Sequence, residues 1–376
     1  MPRAGFERSN GLGVIFASGL FCCVGFVGAA SDDFEVSAMS VYGTRRLGTE
    51  GPEVFALGLG CMGMSGMYGP SDEDESVRTI HAAIRTAESA GAKLLIDTGD
   101  FYGMGHNELL IGRALRVMGP DAREKVVLSV KFGAQRTPSG AWSGFDGRPA
   151  SVKDRLAYSL VRLGVTYVDV YRPARLDDKV PIEDTVGAVN DMIKQGHARH
   201  TGLSEVGVET ARRAQAVTPI CDVQLEYGLA TRGMEAKVLP ELQQMGIGVT
   251  AYGVLSRGLL SGSRPAEKGD FRRFLPRYTG ANLTANHSLV EALREVASER
   301  GVTAVQMAIA WAMGRGEEIL PLLGARKVAQ WEEAEGALQL QLTAEETGRL
   351  EEAVPAEKVQ GTRYDKQAMT HLDSER

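Results

Sequence analysis

The sequence sets an acid, a phenol and an amine where they can do chemistry together. The apolar run Leu94-Leu95-Ile96 stops at Asp97, and Tyr102 follows five residues later, flanked by Phe101 and Gly103. A second apolar run, Val126-Val127-Leu128-Ser129-Val130, ends in Lys131. A free phenol titrates near pH ~10, too high for efficient proton transfer near neutrality. A neighbouring ammonium favours the phenolate and lowers that pKa, while a carboxylate keeps the ammonium charged and oriented. Asp97, Lys131 and Tyr102 form a tuned proton donor if the fold brings them together.

They meet if the runs that carry them are parallel strands ending on one face. The spacing predicts strands at Ala56–Gly60, Lys93–Asp97, Val126–Lys131, Tyr167–Tyr171, His200–Leu203, Asp222–Glu226, Gly248–Tyr252 and Ile319–Leu322. Amphipathic segments of helical length lie between them: Glu73–Ala90, Asn107–Met118, Val152–Leu163, Ile182–Lys194, Glu209–Val217, Glu235–Met245 and a long stretch from Ser288 to Met313. Lys327–Leu338 follows the last strand. Eight strand–helix alternations predict an α/β fold, a closed (β/α)8 TIM barrel with active-site residues at its carboxyl face. Val41–Arg46 and Val54–Leu57 are expected to form a short N-terminal hairpin beneath it.

An open dinucleotide-binding sheet would need a glycine fingerprint after its first strand. Gly58, Gly60 and Gly63 have roughly that spacing, but no acid follows at the right distance and the next segment is not immediately helical. Two insertions, Thr137–Pro149 and Ser261–Leu283, are expected to shape the site. The polar tail, 355–376, either folds back over the mouth or stays disordered.

The 376 residues are 43% hydrophobic and 24% charged, ordinary for a globular protein with a large core. The net charge is −6 with both signs interspersed, which argues against a nucleic-acid surface. Cys22, Cys23, Cys61 and Cys221 show no disulfide framework and no metal-ligand spacing. Residues 11–30 are uncharged, preceded by Arg3 and Arg8 and followed by Asp32, Asp33 and Glu35. Residues 1–38 read either as a signal- or anchor-like leader or as an over-extended start before Met39. Only a retained 11–30 segment would make the protein a membrane partner.

Several stretches together resemble the aldo-keto reductases. They are Ile96-Asp97-Thr98-Gly99-Asp100-Phe101-Tyr102-Gly103, Val180-Pro181-Ile182-Glu183-Asp184-Thr185, Gly202-Leu203-Ser204-Glu205, Gln224-Leu225-Glu226-Tyr227 and Ala251-Tyr252-Gly253-Val254-Leu255-Ser256-Arg257-Gly258. The resemblance runs in order over about residues 41–353 and implies a single catalytic domain at 39–354. It implies NADPH-dependent reduction of a small aldehyde or ketone. Tyr102 would be the general acid, with Asp97 and Lys131 as its tuning pair. Tyr227 would stack on the nicotinamide, and Ser204 and Gln224 would bind its carboxamide. The loop of Gly253, Leu255, Arg257 and Gly258 would cradle the pyrophosphate. Gly324, Arg326, Lys327, Gln330 and Glu333 would hold the adenosine end, with the two cations favouring NADPH over NADH. A cytoplasmic location follows from the need for NADPH.

Three positions depart from the family pattern. Ala174 stands where the family places a catalytic histidine, and His106, on the loop after Tyr102, is not in its register. Glu205 and Ala334 replace asparagines. The expectation is a reductase with a roomier pocket, in which Arg172 or a group on the substrate polarises the carbonyl. Two further readings are a nucleotide-sensing subunit resembling potassium-channel β subunits and an alcohol dehydrogenase working in the oxidative direction.

Overall fold

The computed structural model describes residues 43–375, so the leader lies outside the described residues. Eight parallel strands close into a barrel in chain order. They are β1 (Gly58–Gly60), β2 (Leu94–Gly99), β3 (Val126–Phe132), β4 (Val168–Pro173), β5 (Ala198–Ser204), β6 (Ile220–Glu226), β7 (Gly248–Tyr252) and β8 (Ile319–Gly324). The expected α/β barrel is the observed fold.

Strand parity decides what each side chain meets, because successive side chains point to opposite faces. In β2, Leu94 and Ile96 belong to the large outer core beneath the helices, whereas Leu95 joins a small inner cluster with Val127, Val170, Cys221 and Leu320. Asp97 has the parity of Leu95, and Ser129 and Lys131 that of Val127. The sequence pattern therefore turns all three polar groups inward, above that apolar plug.

The hairpin strands Thr44–Arg46 and Glu53–Phe55 pair antiparallel. Leu47 and Val54 complete the inner cluster from below. Gly48, at φ +63°, lies so close to the barrel that an added Cβ would stand 2.4 Å from the Cys221 carbonyl oxygen. Only a glycine fits both that backbone and that approach.

The expected long helix over Ser288–Met313 is two helices, Gly280–Glu299 and Ala304–Met313. Gly301 breaks it at φ +74°, and Thr303 starts the second helix with a capping box to Gln306. Thr137–Pro149 contains half of a hairpin, Ala134–Arg136 with Trp142–Phe145. The tail folds back: Leu372 is buried, and Asp373 accepts a hydrogen bond from Gly207 N at 2.8 Å, just before the helix Val208–Gln215. Among the described residues no helix is long and apolar enough to cross a membrane.

Candidate active site

Asp97, Ser129, Lys131 and Gln224 form one buried polar knot on the inner wall. Lys131 Nζ donates to Asp97 Oδ1 and, at 3.1 Å, to Gln224 Oε1. Gln224 Nε2 and Ser129 Oγ each donate to Asp97 Oδ2 at 2.8 Å. The ammonium lies 5.1 Å from the centroid of the Tyr102 ring. The three expected catalytic residues are therefore neighbours.

Their electrostatics differ from expectation in one respect. Burial, followed by the Asp97 charge, raises the Tyr102 phenol well above its ordinary pKa, and Arg175 opposes the shift. Burial also lowers the Lys131 pKa, against the pull of Asp97. The expected net lowering of the phenol is not seen, because burial and the Asp97 charge outweigh what favours the phenolate. Tyr102 is thus a protonated donor at neutral pH.

Beside this knot opens a cavity of about 340 Å³. Gly253, Leu255, Arg257, Gly258, Gly324, Arg326, Gln330 and Glu333, eight of the expected cofactor residues, line it. Its loop is contorted. Gly253, Ser256, Arg257 and Gly258 all have positive φ, and two of these are not glycine. For Ser256 and Arg257 such a conformation costs about 1–3 kcal/mol each, and strain of this kind concentrates at functional sites. A Cβ added at Gly324 would meet nothing within 4 Å, so this glycine keeps open space beside the backbone. Arg326 Nη1 donates to the Tyr68 and Pro70 carbonyls at 2.9 and 3.1 Å, and its own N–H donates to Gln330 Oε1 at 3.0 Å. Lys327 is exposed just before the helix Val328–Glu335 and does not line the cavity.

Two expected cofactor contacts are arranged otherwise. Tyr227 has the outward parity of β6: fully buried, it donates to Glu235 Oε1 at 2.7 Å and packs 5.5 Å from the Trp311 ring in the helical layer. Tyr252, at the inward-facing end of β7, lines the cavity instead. Both amide atoms of Gln224 are engaged with Asp97 and Lys131, so it reads as part of the proton-donor knot.

Two of the departures from the family pattern, Ala334 and Glu205, also find places, as do Arg172 and His106. Arg172 is fully buried, donating to Asp222 Oδ2 at 2.9 Å and Ser129 Oγ at 3.1 Å. It is a brace in the wall, and the expectation that it polarises a substrate fails on burial. Ala334 is fully buried and away from the cavity. Glu205, at φ +52°, accepts from both terminal nitrogens of Arg363 at 2.9 Å, from Tyr252 OH at 2.7 Å and from Ser374 Oγ at 2.5 Å. His106 bridges Ser65 and Glu73 at 3.0 Å each, braced away from the knot.

Sequence reasoning missed Tyr252, Arg175, Arg363 and Tyr364. Parity would have found Tyr252, two residues after the inward Thr250, which donates to inward Asp222. The tail residues carry no local signal.

The aldo/keto reductase family model matches residues 56–355. A probable aldo-keto reductase of Glycine max is 36% identical over 328 residues, which are 85% of this chain and 91% of that protein. The glycerol dehydrogenase of Gluconobacter oxydans superposes with a TM-score of 0.73 at 28% identity, covering 83% of this chain and 95% of that one. The holo form of an aldo-keto reductase from Bacillus halodurans gives 0.67 at 25% identity, covering 86% and 98%.

Proposed function

Because the chain belongs to the aldo/keto reductase family, we propose that it reduces an aldehyde or ketone to the alcohol with NADPH, Tyr102 delivering the proton. The observation that carries this reading is the Tyr102 phenol beside the Lys131–Asp97 pair, next to a cavity lined by eight expected cofactor residues. The open space at Gly324 and the strained loop Gly253–Gly258 suit close approach of a pyrophosphate to backbone. Arg326 adds the positive charge that a 2′-phosphate requires. Tyr252, rather than Tyr227, is the ring available beside the nicotinamide.

Bound NADPH would supply the hydride that the carbonyl carbon accepts. The residues then have one task at the oxygen, which gains negative charge as the carbon is reduced. Tyr102 holds its proton at neutral pH and donates it there. Lys131 is positioned to stabilise the phenolate left behind, with Asp97 and Gln224 holding the ammonium in place. Seclusion of the knot from water strengthens each of these interactions. The same groups serve alcohol oxidation in reverse, a direction favoured by the likeness to a glycerol dehydrogenase.

The test is to mix purified protein with NADPH and a panel of aldehydes, aromatic and pyridoxal-type included, and to follow cofactor absorbance. One alcohol formed per NADPH consumed is expected. Tight NADPH binding with no turnover in either direction would favour a nucleotide-sensing subunit.

A further inference from the structure

The tail that folds over the barrel brings a second phenol to its mouth. Tyr364 OH lies 3.3 Å from Arg175 Nη2 on the β4 side and 3.3 Å from Tyr252 OH at the end of β7. In a closed eight-strand barrel these strands are three apart, so the Tyr364 hydroxyl bridges the opening. The Arg257 guanidinium sits 4.4 Å from its ring centroid. Its position is fixed by its neighbour. Arg363 is nearly buried, paired with Glu205 and, at 3.4 Å, with Glu226.

Resting on the reductase reading, we propose that Tyr364, with Arg175 behind it, is a substrate-binding residue that donates a hydrogen bond to the carbonyl oxygen, filling the role vacated at Ala174. Arg175 is the residue next to Ala174, and its Nη1 donates to the Ala174 carbonyl at 2.6 Å and to Ser204 Oγ at 3.4 Å. The proton inventory of the cluster favours donation outward. Tyr252 gives its proton to Glu205 at 2.7 Å, and Arg175 donates to the Tyr364 oxygen. Among the described residues the Tyr364 proton is left with one acceptor, the Tyr252 oxygen, at a distance beyond the usual 2.5–3.0 Å of a hydroxyl hydrogen bond. A proton held so weakly is available to an incoming oxygen.

The surrounding charges act in the same direction. Burial opposes ionisation of Tyr364, but Arg257 and Arg175 outweigh it and hold the phenol below its ordinary pKa, making it a stronger donor. The charges of Arg175 and Tyr364 both act on the Tyr102 phenol, which puts the cluster within electrostatic reach of the proton donor. Arg172, the cation near the end of β4, is sealed in the wall.

The test compares wild type with Tyr364→Phe, Arg175→Met and the double variant, measuring NADPH affinity by protein fluorescence and kcat and KM for the best carbonyl of the panel. Tyr364→Phe is expected to leave NADPH affinity within about twofold and to lower kcat/KM by roughly 10²-fold, the usual effect of deleting one such donor. Arg175→Met should lose a comparable factor, and the double variant should be little worse than either, since the two act as a unit. An active wild type with a fully active Tyr364→Phe overturns this assignment and leaves the reductase reading intact. Losses that multiply in the double variant overturn the pairing. Tenfold tighter NADPH binding in Tyr364→Phe would mean that the phenol obstructs the cofactor, and overturns it as well. A wild type that binds NADPH but turns over nothing overturns the reductase reading, and this assignment with it.

Discussion

Both terminal nitrogens of Arg363 stand 2.9 Å from the two carboxylate oxygens of Glu205, joining the tail to the end of β5. Burial works against the Glu205 carboxylate, yet the hydrogen bonds and charge of Arg363 hold its pKa far below the usual range. Breaking a buried pair by removing one partner typically costs about 3–5 kcal/mol. Arg363→Ala should therefore lower the denaturant midpoint at neutral pH by a corresponding amount. A depressed carboxylate contributes stability above its unfolded pKa, about 4.3, and loses it as pH falls toward the folded value. The gap between wild type and Arg363→Ala should narrow below pH ~4. A gap that stays constant into acid would refute the account.

Tyr102 offers a second pH signature with the opposite limb. Its phenol lies well above the ordinary value of about 10 because of burial and the Asp97 charge. Reduction requires the protonated form, so kcat/KM for the carbonyl should stay level through neutrality and fall only above pH ~10. Alcohol oxidation requires the phenolate and should rise with pH over the same range. Tyr102→Phe should lose roughly 10²–10⁴ in kcat with NADPH affinity retained. A reduction profile that declines between pH 7 and 8 would show that another group supplies the proton.

Of the adjacent cations Arg326 and Lys327, only Arg326 lines the cavity. A charge-assisted hydrogen bond contributes about 1.5–3 kcal/mol, and each 1.4 kcal/mol is tenfold in affinity. Arg326→Ala should weaken NADPH by at least about tenfold while changing NADH little, and Lys327→Ala should have the smaller effect. Titration of both nucleotides against each variant measures this, and equal losses for the two nucleotides would place the 2′-phosphate elsewhere.

The barrel and the proton-donor knot were legible because they rest on short-range pattern. Apolar runs marked all eight strands, and a polar residue at the end of a run marked Asp97 and Lys131. Motif order pointed to Tyr227, whereas side-chain parity turns Tyr252 to the cavity. Two residues after inward Thr250 lies Tyr252; one residue after inward Glu226, Tyr227 turns to Trp311. Arg172 misled for a different reason: a cation beside a vacated site looks catalytic until its partner, Asp222, fifty positions away, is seen. The tail was unreadable in the same sense, since Arg363 finds Glu205 across 158 positions and nothing local announces the pair.

The hairpin that seals the base of the barrel also sets how the molecule can be held. Gly48 presses on Cys221 beneath the strands, while Glu375, the last described residue, pairs with Arg363 at the mouth. The described residues begin at one pole of the barrel and end at the other. A tether, tag or surface attached at the hairpin leaves the mouth of the barrel facing the surroundings. The same attachment at Glu375 pulls on the strap that carries Tyr364.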